Sequence, residues 1–144
     1  MESLPTQIQL EVVTPERELV HESAFSVSVP AKNGYLGILP GHAPLLSELQ
    51  PGDLTYVEDY VTRSLSVSWG FVEVLPERVI VLAQTAERAE DIDVERAQRA
   101  KQRAEERLNN VTATDIDFER ARAALMRALA RLQAAGRAKG EPLA

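Results

Sequence analysis

Up to about Glu90, apolar residues recur at every second position. Ile8, Leu10 and Val12 alternate with Gln9 and Glu11, Phe25, Val27 and Val29 with Ser26 and Ser28, and Leu65, Val67 and Trp69 with Ser64, Ser66 and Ser68. A period of two sends alternate side chains to opposite faces, so each stretch reads as a half-buried strand with its serines or charges outward. Leu54 to Val57, Phe71 to Leu75 and Val79 to Ala83 read as further strands, parted by Pro51-Gly52 and by Leu75-Pro76-Glu77-Arg78. Many short strands with frequent turns predict a small antiparallel β-sandwich or flattened barrel.

Past Glu90 the period lengthens to that of a helix. Ala97, Ala100, Ala104 and Leu108 follow one another at intervals of three or four, and so do Phe118, Ala121, Leu125, Ala128 or Leu129, and Leu132. Asn109-Asn110 ends the first helix, and Thr114 with Asp117 three positions on caps the second. The connection is short enough to fold the two back as an antiparallel hairpin. The fold class is therefore α+β: residues 1–88 a β-sandwich, 89–135 a helical hairpin, and 136–144 a flexible tail, where Gly136, Gly140 and Pro142 interrupt any helix. A buried methyl stabilises by only about 0.8 kcal/mol, against roughly 1.5 to 3 kcal/mol for a buried leucine or phenylalanine. An alanine seam thus describes a module that can detach or reopen, although a hairpin fixed against the sandwich fits the same pattern.

Residues Pro30 to Gly52 read PAKNGYLGILPGHAPLLSELQPG. Glycines and prolines punctuate two short apolar runs there, Tyr35 to Leu39 and Ala43 to Leu49. Pro40, Pro44 and Pro51 remove backbone donors from any strand ladder, which leaves Ile38, Leu39, Leu45 and Leu46 on a stiff, partly exposed rim. A rigid apolar rim is a docking surface in most proteins that carry one.

Composition narrows the chemistry. The 144 residues carry no cysteine and a net charge of −6, which excludes thiol catalysis and argues against nucleic-acid binding. Residues 1 to 90 hold 5 Lys/Arg and 13 Asp/Glu, a balance of −8, whereas residues 91 to 144 hold 11 and 9, a balance of +2. No run of about 18 apolar residues occurs, so any membrane association is expected to come through a partner. The histidines, His21 and His42, have neither a second histidine nor a carboxylate at metal-ligand spacing, and no phosphate-binding GxxxxGK[ST] loop is present. No catalytic residue and no metal ligand set is expected, and no cofactor is required. Glu90, Asp91 and Asp93 stand where a helix dipole favours acids. Arg96 and Arg103 share a face of the first helix, and Arg127 and Arg131 a face of the second. Folding the hairpin can converge all four on an anion, although a solvated face laced with ion pairs is the more ordinary reading of the same pattern.

The order and spacing of GILPGHAPLL, PGDL, GFVEV and VLAQTAE, together with VVTPERELV near the N-terminus and the charged helical tail, resemble the epsilon subunits of F-type ATP synthases over nearly the whole chain. The resemblance implies a non-catalytic rotor subunit of the central stalk of a proton-translocating enzyme. Its expected partners are the gamma subunit, the c-ring and the alpha/beta catalytic head. It also implies a peripheral position on the cytoplasmic face of a bacterial plasma membrane, in preference to a thylakoid or other energy-transducing membrane. The rim at Tyr35, Leu36, Ile38, Leu39, His42, Leu45 and Leu46 is the implied rotor interface. The helices are the implied inhibitor of ATP hydrolysis. Some relatives bind ATP as a regulatory ligand through an I/L-D-x-x-R-A motif, matched here by Ile92, Asp93, Arg96 and Ala97, with Arg103, Arg127, Arg131 and the upstream Glu87 in the remaining positions. A free-standing ATP-binding regulatory module is the alternative, using the same arginines without needing the rim. A small hydrolase is a third possibility, and it lacks a convergent base and nucleophile.

Overall fold

The computed structural model describes residues 3–110 and 114–138; the rest of the tail, from 139 to 144, lies outside the described residues. Eight strands come first: β1 (Ile8–Val13), β2 (Glu18–Ala24), β3 (Ser26–Ala31), β4 (Gly34–Ile38), β5 (Leu45–Leu49), β6 (Gly52–Glu58), β7 (Val61–Leu75) and β8 (Arg78–Arg88). A 3₁₀ turn at Ala89–Asp91 leads into α1 (Val94–Leu108) and α2 (Asp115–Ala138). Hydrogen bonding follows the order β2-β1-β8-β7-β5-β3-β4, with β6 paired to both β3 and β7. The pairs are antiparallel except β1 with β8, a parallel seam that short-range alternation does not reveal. Ile8, Leu10 and Val12 meet Val27, Val29, Leu65, Val67 and Val81 in one core, as their alternation predicts.

The rim is more regular than its prolines suggest. Pro40 and Pro44 fall in the loop between β4 and β5, and Pro51 falls after β5, so none of the three interrupts a ladder and both runs form short strands. Ile38, expected on the rim, is 1% exposed and belongs to the core. It pairs with Val27 of β3, which fixes its side chain inward.

β7 is one strand of 15 residues, not the two expected. Trp69 and Gly70 both take positive φ, 48° and 122°, and bend the strand without ending it. Its register against β8 stays continuous from Leu65 opposite Arg88 to Leu75 opposite Arg78. Before the bend β7 pairs with β6, and after it with β5. The bend exchanges the buried faces: Leu65 and Val67 point into the core on one side of it, Val72 and Val74 on the other. A Cβ on Gly70 would collide with the Leu82 carbonyl, so glycine is required for this crossing.

The exchange leaves Ser64, Ser66 and Ser68 on the outer face, yet they are buried rather than solvated. Helix α2 lies across β6 and β7 and covers them. Small side chains on both surfaces permit this approach, because α2 presents Ala121, Ala128, Ala130, Ala134 and Ala135 as its buried residues. Phe118 and Leu129, expected in the seam, are exposed. Phe25, expected inward, is exposed at the junction of β2 and β3. In α1 the seam is Ala97 and Ala104. Asp93 caps α1 by accepting from the Arg96 amide at 3.1 Å, and Thr114 caps α2 by accepting from the Asp117 amide at 3.2 Å. Helix α2 continues through Gly136 to Ala138, past the boundary expected at Ala135, so the first part of the expected tail is helical. Arg137, in that last turn, forms an ion pair with the buried Asp53 of β6.

Candidate functional site

Where α2 crosses the bent hairpin, a pocket of about 150 Å³ opens between helix and sheet. Ser66, Ser68 and Thr85 line its floor with hydroxyls, and Glu87, Arg127 and Arg131 line its wall. The pairing of β7 with β8 sets Ser68 opposite Thr85 and Ser66 opposite Glu87, so one face of the ladder supplies all four groups. Arg127 and Arg131, at i and i+4, descend onto them from one side of α2. Arg131 Nε lies 3.4 Å from Glu87 Oε2, and the Arg127 guanidinium stands 5.5 Å from the centroid of the Trp69 ring. Two guanidiniums against one carboxylate leave a surplus of positive charge beside three hydroxyls. That arrangement suits the oxygens of a phosphate. The volume is below the range of about 300–1,000 Å³ usual for whole small-molecule sites, so a nucleotide here would seat a phosphate and project its base and ribose outward.

The structure thus brings together Glu87, Arg127 and Arg131 from the set the sequence singles out. The α1 members stand differently. Ile92 packs with Ala89, Val94, Ala134 and Ala135 in a small apolar cluster at the root of the hairpin. Asp93 is the cap of α1, and Ala97 is buried in the seam with α2. Arg96 and Arg103 are exposed on α1 and do not line the pocket. Trp69, Ser66, Ser68 and Thr85 escape sequence reasoning, since alternating serines read as a solvated strand face until a helix is known to cover them.

A second surface lies on the uncovered face of the sandwich. Of the remaining rim residues, Tyr35, Leu39, Leu45 and Leu46 are exposed and Leu36 is half-buried against the core. His42 is half-buried, with Nδ1 2.7 Å from the Ala43 carbonyl. The loop is held to the β7–β8 turn by the Gly41 amide, which donates to the Pro76 carbonyl at 2.7 Å. Phe71 and Leu82 sit opposite each other across β7 and β8, 51% and 54% exposed. Leu46 pairs with Glu73, one step along the same face from Phe71. This continues the apolar rim onto the sheet, and the alternation of Phe71 and Glu73 with buried Val72 and Val74 is the signal for it.

Two polar clusters elsewhere are satisfied within the chain. Glu11, Glu18 and His21 bring three donor atoms within 4.8 Å of one another on β1 and β2. Arg78 already holds Glu11 Oε2 at 2.6 Å, and His21 Nδ1 lies 2.9 Å from Glu18 Oε1, so the cluster is a satisfied surface network. Tyr56 donates to Glu22 at 2.9 Å, and burial followed by that carboxylate pushes its hydroxyl up to about 12. Burial acts to raise Glu22 as well, but hydrogen bonds with Glu58 and Tyr56 and the Arg88 charge outweigh it and hold Glu22 below its usual range.

Comparison with known proteins agrees with this two-part architecture. Residues 7–89 match the family model described as the ATP synthase delta/epsilon chain beta-sandwich domain, and residues 90–136 the one described as its long alpha-helix domain. An ATP synthase epsilon chain of Koribacter versatilis is 54% identical over 100 residues, 69% of this chain and 70% of that one. One of Trichlorobacter lovleyi is 44% identical over 132 residues, 92% of this chain and 96% of that one. A chain in the Euglena gracilis mitochondrial ATP synthase, a structure of OSCP, F1 and c-ring, superposes with a TM-score of 0.82 at 23% identity, covering 93% of this chain and 84% of that one. One from the central stalk and c-ring of the Tetrahymena thermophila mitochondrial enzyme gives 0.63 at 15% identity, covering 92% and 99%; these likenesses concern the fold. With a sandwich and a helical hairpin in the matching order, and with family models spanning both, the chain belongs to the epsilon subunits of the F-type ATP synthases.

Proposed function

We propose that this chain is a non-catalytic, central-stalk subunit of a proton-translocating ATP synthase. In this reading the sandwich joins the gamma subunit to the c-ring, and the hairpin restrains ATP hydrolysis by the alpha/beta head. One observation carries the reading: the sandwich has an apolar face left bare at Leu46, Phe71 and Leu82, and an opposite face covered by a helix seated on alanine and serine. The first is suited to permanent docking. The second buries little apolar surface per residue and separates at modest cost. The solved neighbours, drawn from F1 and c-ring assemblies, support the same placement. Among the described residues no helix is long and apolar enough to cross a membrane. In this reading the complex holds the chain as a peripheral subunit at the cytoplasmic face of a bacterial plasma membrane. ATP is the regulatory ligand we assign to the pocket under α2, its phosphates on Arg127 and Arg131, while Arg96 and Arg103 of α1 stand outside that pocket.

Copurification tests the placement. The wild-type chain is expected to come down with gamma and the c-ring, and Leu45→Asp with Leu46→Asp to lose that association while the purified sandwich stays folded, because two charges would enter an apolar contact. A double variant that still assembles and pumps moves the interface elsewhere. A wild-type chain that binds ATP but never copurifies is instead a free-standing regulatory module.

A further inference from the structure

Asp53 is the one buried charged side chain among the described residues, at 0% exposure, and a carboxylate so placed needs compensating donors or a cation. It takes them from two distant parts of the chain. Oδ1 accepts a hydrogen bond from the Tyr35 hydroxyl at 2.5 Å, and the Asp53 amide donates to the same hydroxyl at 3.3 Å. Oδ2 faces Nε of Arg137 in the last turn of α2, and these two buried atoms have only each other as polar partners among the described residues. Gly52 makes room for the arrangement, since a Cβ there would fall 2.8 Å from the Tyr35 hydroxyl and 2.7 Å from Pro30 Cβ. The ring of Tyr35 meanwhile stays half exposed on the rim.

From this geometry we infer that Asp53 is a latch coupling the rim at Tyr35 to the seating of α2. Tyr35 fixes the orientation of the carboxylate, and the oriented carboxylate holds Arg137. A partner that keeps Tyr35 in place therefore favours the seated helix, and one that draws Tyr35 away loosens it; by reciprocity, release of Arg137 changes the affinity of whatever covers Tyr35. Over the alanine and serine surfaces beneath α2, the other charged contact that seats the helix is the more exposed pair of Arg131 with Glu87. This coupling is internal to the chain and does not depend on the rotor reading.

Hydrogen exchange read by mass spectrometry on the full chain tests it. Arg137→Gln is expected to speed exchange in α2 peptides at least tenfold, and Tyr35→Phe several-fold, with β1 and β2 peptides unchanged in both. The Tyr35→Phe, Arg137→Gln double variant should exchange no faster in α2 than Arg137→Gln alone, because one carboxylate transmits both effects. Neither Tyr35 nor Arg137 belongs to the apolar core of the sandwich, so the sandwich remains folded and the comparison stays readable. An α2 indifferent to either single substitution, or effects that multiply in the double variant, overturns the latch.

Discussion

The guanidinium of Arg127 stands 5.5 Å from the centroid of Trp69, the only tryptophan in the chain, so a ring at the bend of β7 touches a cation of the candidate anion pocket. Cation–π contact is worth about 0.5–1 kcal/mol at exposed sites, less than a desolvated phosphate contact, so a bound phosphate is expected to draw Arg127 off the ring. ATP should then change the emission of Trp69 saturably, and Arg127→Ala should abolish the change. At a hundredfold excess over Kd the ligand stabilises the seated helix by about 2.7 kcal/mol, enough to decide the state of a weak seam. Emission unmoved at millimolar ATP returns Arg127 and Arg131 to a purely structural role.

Gly70 is the most constrained position in the sandwich. At φ 122°, and with any Cβ falling well inside contact distance of the Leu82 carbonyl oxygen, it has no room for a methyl group. Gly70→Ala should lower stability by about 3 kcal/mol or more in urea unfolding, through strain and the forced separation of β7 from β8. A loss below about 1 kcal/mol would show that the bend is soft.

Burial, then the Asp53 hydrogen bond, raises the hydroxyl of Tyr35 from 10.0 to about 12. The folded state thus resists an ionisation that the unfolded chain undergoes near 10, and the stability this contributes is present below that pH and is lost as pH rises through about 12. Phenolate absorbance should show Tyr35 and Tyr56 ionising near 12, and Tyr35→Phe should remove one of those steps. Both steps surviving the substitution would dissociate Tyr35 from the buried carboxylate.

Much of this architecture was legible in the residues. Alternation at Ile8, Leu10 and Val12 and at Leu65 and Val67 identifies core positions because a strand has only two faces. The same rule fails at Ser64, Ser66 and Ser68, since hydroxyls small enough to sit under alanine look no different from hydroxyls facing water. It fails again at Trp69, where positive φ bends β7 and the pattern changes face. Glu87, Arg127 and Arg131 could be named from the chain, but their convergence depends on α2 lying across β7, a contact no local spacing encodes. Arg137 was hidden for the opposite reason: Gly136 beside it reads as a helix terminator, whereas the buried Asp53 holds that turn in place.

Hydrolysis by the assembled enzyme, with this chain either whole or ended after Glu90, bears most directly on the division of labour between sandwich and hairpin. The core that joins β1 to β8 draws on no helical residue, so the shortened chain should fold and still join the complex. With the full chain, hydrolysis should be restrained or slow to start; with the shortened one it should be faster and without lag. Equal rates from the two assemblies, both containing the subunit, would contradict an inhibitory hairpin.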